Sequence, residues 1–128
     1  MSGPIVFISH NKMKEGQLDA FLEYNRDRFQ LIQEQKPATA ALLAYAGQDG
    51  SEVSFVHIFP DAESMELHFQ GAAERSKRAY EFMQPISMEI YGSPNEAVLE
   101  MMKQIAESGV SVSIDADYLG GFLRLKSG

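Results

Sequence analysis

Two stretches of this chain are apolar on both of their faces, and that property limits the folds open to it more than any other. "PIVFISHN" (Pro4 to Asn11) sets Ile5, Phe7 and Ser9 on one side of an extended strand and Val6, Ile8 and His10 on the other. "SEVSFVHIF" (Ser51 to Phe59) repeats the arrangement, with Val53, Phe55, His57 and Phe59 against Val56 and Ile58. Strands of this kind belong in a sheet that is covered on both sides. The helical segments between them supply one covering layer. The other face is then closed by a second copy of the chain, sheet against sheet, or by the C-terminal helix folded across it.

The remaining pattern alternates helix and strand. From Glu15 to Gln35, Leu18, Phe21, Leu22, Asn25, Phe29 and Ile32 fall at helical spacing, with Glu23, Arg26, Asp27 and Gln30 opposite them. Lys36-Pro37 ends this helix. "ATAALLAYAG" (Ala38 to Gly47) reads as a strand, joined to the next through Gln48-Asp49-Gly50, whose Asp-Gly suits the positive φ angles of a hairpin. Asp61 follows Pro60 as a helix N-cap, and the helical stretch from Ala62 to Met83 is interrupted by Gly71. After Gln84-Pro85 come a strand (Ile86 to Gly92), a helix (Ser93 to Gly109), a fifth strand (Val110 to Ile114) and the irregular "DADYLGGFLRLKSG". The order β-α-β-β-α-β plus α-β predicts an α+β, ferredoxin-like fold. Residues 1–128 read as one domain, with a core over about 4–92 and a C-terminal extension over 93–128.

Composition removes several chemistries. With no cysteine, the chain has no disulfide, iron–sulfur cluster or thiolate nucleophile, which suits a cytoplasmic setting. A net charge of -7 without a clustered Lys/Arg stripe argues against nucleic acid or an anionic membrane as partner. Apolar runs fall well short of the ~20 residues that span a bilayer, and residues 1–4 lead into a strand without a basic leader. There is no Gly-rich phosphate loop, nucleophile elbow or two-histidine helix motif. A metal shared by His10 and His57 is disfavoured, because neighbouring antiparallel strands would hold them on the order of 10 Å apart.

The run "SFVHIFPDAESMELHFQGAAERSKRAYEFM" (Ser54 to Met83) has a strand, an Asp-Ala-Glu helix start and a histidine before a break. It resembles the antibiotic biosynthesis monooxygenase family of dimeric α+β barrels, and in element order the likeness extends over Pro4 to Tyr91. The resemblance implies a homodimer of ferredoxin-like subunits, each with a pocket between sheet and helices for a small aromatic ligand. Relatives include cofactor-independent monooxygenases of phenols and quinols, haem-degrading enzymes and proteins that handle small signalling molecules. His68 matches the family's histidine near the end of the first helix after the hairpin. Asn11 lies where haem-degrading relatives place an asparagine, but those relatives also use a tryptophan, and this chain has none.

The implied activity is oxygenation of a small phenolic or quinol-like molecule with no cofactor and no metal. His68 would be base or orienting group, Asn11 and Tyr45 hydrogen-bond donors, and His57, Tyr24 and Tyr80 substrate contacts. Such chemistry needs a deprotonated substrate, exclusion of water and donors where negative charge collects. A non-catalytic small-molecule-binding or interaction protein on the same scaffold is the competing reading. Haem binding through His68 without turnover is a third. His57 also reads as a packed core histidine, and His68 as a helix-end residue favoured by the dipole. Arg75, Lys77 and Arg78 read as a solvated helix face or as a clamp for an acidic ligand, and Met101-Met102 as flexible filler.

Overall fold

The doubly apolar strand near the start, β1 (Ile5–Met13), becomes the middle strand of a five-stranded sheet in a computed structural model that describes residues 3–124. β3 (Glu52–Phe59) lies antiparallel on one side, with Phe7 opposite His57 and Asn11 opposite Val53. β4 (Met83–Tyr91) lies antiparallel on the other, with Ile90 opposite Phe7. β2 (Ala41–Ala46) pairs with β3, and β5 (Ser111–Asp115) adds parallel to β4, giving the order β2-β3-β1-β4-β5. A parallel neighbour needs a crossover, which α4 (Glu96–Glu107) supplies. α1 (Leu18–Gln35) joins β1 to β2, while α2 (Ala62–Phe69) and α3 (Ala72–Ala79) join β3 to β4. This is the expected α+β, ferredoxin-like order with one helix and one strand added, and the added strand pairs with its own chain.

Period-two alternation sends the odd-numbered residues of β1 and β3 toward the helices. Ile5, Phe7 and Phe59 pack with Met65 of α2, Met88 and Ile90 of β4, and Val98 and Met102 of α4. A second cluster joins Met13, Val53 and Phe55 to Phe21 of α1, Ala79 of α3, and Phe82 and Met83. The C-terminal helix therefore packs on the same side as the other helices and does not close the far face, contrary to one of the two expectations. On that face Val6, Ile8, Val56 and Ile58 are half-buried, and Leu43 and Tyr45 are exposed. No helix among the described residues is long and apolar enough to cross a membrane.

Local chemistry explains the joints. Asp61 Oδ1 accepts the Ser64 backbone N–H at 2.8 Å, as an N-cap should. Gly71, at φ +79°, holds the left-handed conformation that an L side chain resists, so the helical run splits where the sequence suggested. The turn brings Arg75 back onto the end of α2, where its guanidinium donates to Gln70 O at 2.8 Å and to His68 O. From the end of α1, Lys36 Nζ donates to Leu67 O at 2.8 Å and Gln70 O at 3.2 Å. Two cations thus satisfy carbonyls that the helix terminus leaves unpaired.

Several boundaries differ from the pattern: β2 begins at Ala41, not Ala38, and the helical stretch expected to reach Met83 ends at Ala79. The first helix opens at Leu18, after a turn at Glu15 and Gly16. β4 begins at Met83 and runs through Pro85, which sequence reading takes as a stop. The register slips between His10 and Asn11, leaving Ile86 between the partners Pro85 and Ser87. A proline has no ladder donor to lose at such a bulge.

Candidate functional site

A cavity of about 610 Å³ opens between the helix-facing side of the sheet and the helices. Its walls are largely apolar, with Phe7, Phe55, Phe69, Met88 and Met102 among them. Its size is that of a small-molecule pocket. A depression of about 840 Å³ near the β2–β3 turn mixes Lys12, Lys14, Glu15 and Asp19 and has no aromatic wall.

Polar groups enter the apolar cavity at defined places. Ser9 and Asn11 follow Phe7 at period two along β1, and His57 stands opposite Phe7 on β3. His68 comes from the last turn of α2, Arg28 from α1, and Arg75 and Tyr80 from α3 and its C-cap. The two imidazoles touch, with ring centroids 4.8 Å apart and planes at 72°. His57 is stacked on Phe59 at 5.9 Å and lies 5.4 Å from Phe7, and its Nδ1 is buried without a partner. His68 Nδ1 shares a hydrogen bond with the Thr39 hydroxyl at 2.7 Å, and the hydroxyl can donate or accept according to the tautomer. Asn11, 2% exposed, donates to Val53 O at 3.3 Å and to Ser9 Oγ at 3.5 Å.

Burial pushes His57 down to about 3, and His68, Arg28 and Arg75 act in the same direction. His68 is pushed down to about 4, first by burial and then by Arg75, Lys36 and Arg28. Both rings are therefore neutral near pH 7. In the unfolded chain each returns to a pKa of about 6.5, so the unfolded state binds more protons below that value. Stability is complete above about pH 6.5 and falls as pH drops toward the folded pKa values, by up to about 1.4 kcal/mol per pH unit for each proton. His57→Phe is expected to flatten the fall between about pH 6.5 and about pH 5, a range above most carboxylate titrations. Urea midpoints at a series of pH values measure it; an unaltered slope would mean that folded His57 titrates normally.

Of the residues singled out from sequence, His68, Asn11, His57 and Tyr80 share this cavity. Tyr24 does not line it: its ring is stacked on Phe82 at 5.5 Å, with the Arg78 guanidinium 5.9 Å away. Tyr45 lies on the far face of the sheet, opposite Ser54 and 59% exposed, because period two turns Leu42 inward and Tyr45 outward. The donor role expected of Tyr45 and the contact expected of Tyr24 thus find no place in this cavity. His10 also occupies the far face, bonded to Ser54 Oγ at 2.9 Å and Glu89 Oε1 at 2.7 Å, so it and His57 are on opposite sides. Among the described residues, no group of three or more His, Asp or Glu side chains is placed to hold a metal ion.

Sequence reading missed Ser9, Thr39 and Arg28. Arg28 donates to Asn25 Oδ1 at 3.4 Å and lies 6.0 Å from the Phe55 ring centroid, while its Nε is buried without a partner. Its signal was available: it stands three residues after Asn25 and four before Ile32, on the apolar stripe of α1.

No protein-family model and no curated protein matches the chain. Among solved structures, MupZ from Pseudomonas fluorescens superposes with a TM-score of 0.71 at 18% identity, covering 97% of this chain and 91% of that one. A Bacteroides thetaiotaomicron protein bearing the name of an antibiotic biosynthesis monooxygenase gives 0.61 at 16% identity, covering 97% of both chains. A Shewanella loihica protein named as a monooxygenase gives 0.51 at 18% identity, over 74% of this chain and 98% of its own. These likenesses show a shared subunit fold, the α+β, ferredoxin-like one that the resemblance over Ser54 to Met83 implied.

Proposed function

We propose that the cavity binds a small aromatic phenol or quinol and oxygenates it directly with dioxygen, without a resident cofactor. The observation that carries this reading is the pair of touching neutral imidazoles at an aromatic-walled cavity beside two guanidinium groups. The monooxygenase names of two fold neighbours support it. For an anthrone-type substrate, His68 takes the acidic C–H proton, and the carbanion reduces dioxygen to form a C–O bond to a peroxide. Protonation of the outer oxygen and loss of the second C–H proton then expel water and leave a ketone. One oxygen atom ends in product and one in water. His68 alone is a weak base, so proton transfer becomes favourable as the anion forms against the imidazolium and the nearby guanidinium groups.

Dioxygen consumption with an anthrone, naphthol and quinol panel, in the presence of a chelator, tests the proposal. Saturable uptake with a ketone or quinone product is expected. A saturable thermal shift without uptake would instead favour a non-catalytic binding protein on the same scaffold.

The working unit in this reading is a homodimer closed over the far face of the sheet. That face presents Val6, Ile8, Val56 and Ile58, and Leu119, Phe122 and Leu123 beyond β5 are also exposed. These are apolar surfaces that one chain leaves uncovered. Sedimentation is expected to give a dimer for the parent protein and a monomer for Val56→Arg. A monomeric parent protein would remove this part of the proposal.

A further inference from the structure

The charge in the cavity is opposite to the charge of the chain. Asp and Glu outnumber Lys and Arg by 18 to 11 overall. Yet no carboxylate lines the cavity, while Arg28, Arg75 and Lys77 do. Lys77 is answered at the surface by Glu74 at 3.1 Å. The other ion pairs among the described residues are His10–Glu89 and Arg78–Glu81, so neither Arg28 nor Arg75 has an acidic partner. Arg75 has given one N–H to Gln70 O and another to His68 O, contacts that spend donors without neutralising its charge.

A second observation points to the same place. Among the described residues, the buried side-chain polar atoms without a hydrogen-bond partner are Arg28 Nε and His57 Nδ1, and both residues line this cavity. His57 is itself only 9% exposed. A buried donor with nothing to bond is costly to a fold, and a guanidinium withdrawn from water without a counter-charge more so. Burial lowers the pKa of Arg28, the signature of a charge held away from solvent. The two residues that carry these atoms, and the uncompensated guanidinium charge, thus border one volume.

We propose that the native ligand of this cavity is an aromatic acid, a flat ring system bearing a carboxylate that Arg28 holds and Arg75 faces. This deepens the proposed function and rests on it only for the location of the site. The phenolate or enolate of the oxygenation exists only during turnover, whereas Arg28 lacks an acidic partner in the resting protein. A permanent anion gives the guanidinium a charge-assisted partner in a water-poor space. A neutral molecule of the same shape would cover the charge and deepen its desolvation. The carboxylate thus selects and orients, and the ring lies between the phenylalanines and the imidazole pair.

The test compares 1-hydroxy-2-naphthoate with its uncharged isostere 1-hydroxy-2-naphthamide by calorimetric titration at pH 7.5. The acid is expected to bind about tenfold or more tightly than the amide, the margin of one charge-assisted contact. In Arg28→Gln the ratio should fall to about twofold or less, whereas Arg28→Lys, which keeps the charge but not the fork, should retain part of it. Equal or tighter binding of the amide to the parent protein overturns the proposal without any variant, and so does a failure of both compounds to bind. Oxygen uptake on the neutral anthrone panel reads the catalytic reading separately. Uptake without preference for the acid leaves the oxygenase standing and removes the clamp; preference for the acid without uptake does the reverse.

Discussion

His68→Ala is expected to lower oxygen uptake about a hundredfold or more, the usual contribution of a positioned proton acceptor. The side chain is 4% exposed and anchored through Nδ1 to Thr39, so its ring orientation is set before any substrate arrives. Its removal also leaves the Thr39 hydroxyl without that partner, and a stability loss of about 1–3 kcal/mol should accompany the kinetic one. Chemical rescue separates the two effects. Added imidazole should restore part of the rate if the missing function is proton transfer, while leaving the urea midpoint where the variant puts it. A variant with full activity would make His68 a packing residue. A folded, inactive variant that imidazole cannot rescue would make it an orienting group.

Phe59→Ala should be the most damaging single truncation in the core, costing about 3–5 kcal/mol of a total that for a domain of this kind is about 5–15 kcal/mol. Phe59 has no exposed surface, and its ring lies 5.2 Å from His68, 6.2 Å from Phe69 and 5.9 Å from His57. It is the last residue of β3, just before Pro60 and the capping Asp61, so strand and helix are both locked around it. The void would lie against the imidazole pair, and activity should fall with stability. Urea unfolding measures the effect as a shift in midpoint with an unchanged slope. A loss below about 1 kcal/mol would mean that the surrounding phenylalanines collapse into the space.

The fold was legible because its determinants are local. The doubly apolar β1 and β3, the Asp-Gly link, Asp61 and Gly71 each act within a few residues, and each has its counterpart in the structure. The strand through Pro85 was not legible, because the bulge that admits proline depends on β1, far away in sequence. The site divides in the same way. Period two alone puts His57 on one face with Phe55 and Phe59, and Asn11 with Ile5 and Phe7, although the helices decide that this face is the inner one. Tyr45 lies on β2, where Leu42 and Leu43 are both apolar and alternation names no inner face until the register with β3 is known. Arg28 could be placed on the inner stripe of α1 from its spacing to Asn25 and Ile32, but that it stands half-buried at the cavity without an acidic partner depends on the seating of α1 against the sheet. The net charge of -7, read alone, argues against the local sign of the cavity.

The position of β1 also constrains how the chain can reach this structure. It comes first of the five strands, but its neighbours in the sheet are β3 and β4, with Ile5 paired to Phe59 and Val6 to Tyr91. The β2–β3 hairpin closes a short loop and forms early at little entropic cost, whereas each edge of β1 waits for a distant segment. During synthesis this doubly apolar strand is thus exposed first and satisfied last, with one edge unpaired until β4 has been made. An unfinished chain with an open strand edge is the species most prone to self-association. The arrangement that centres β1 in the finished sheet therefore makes the interval before β4 arrives the vulnerable stage in this protein's biogenesis.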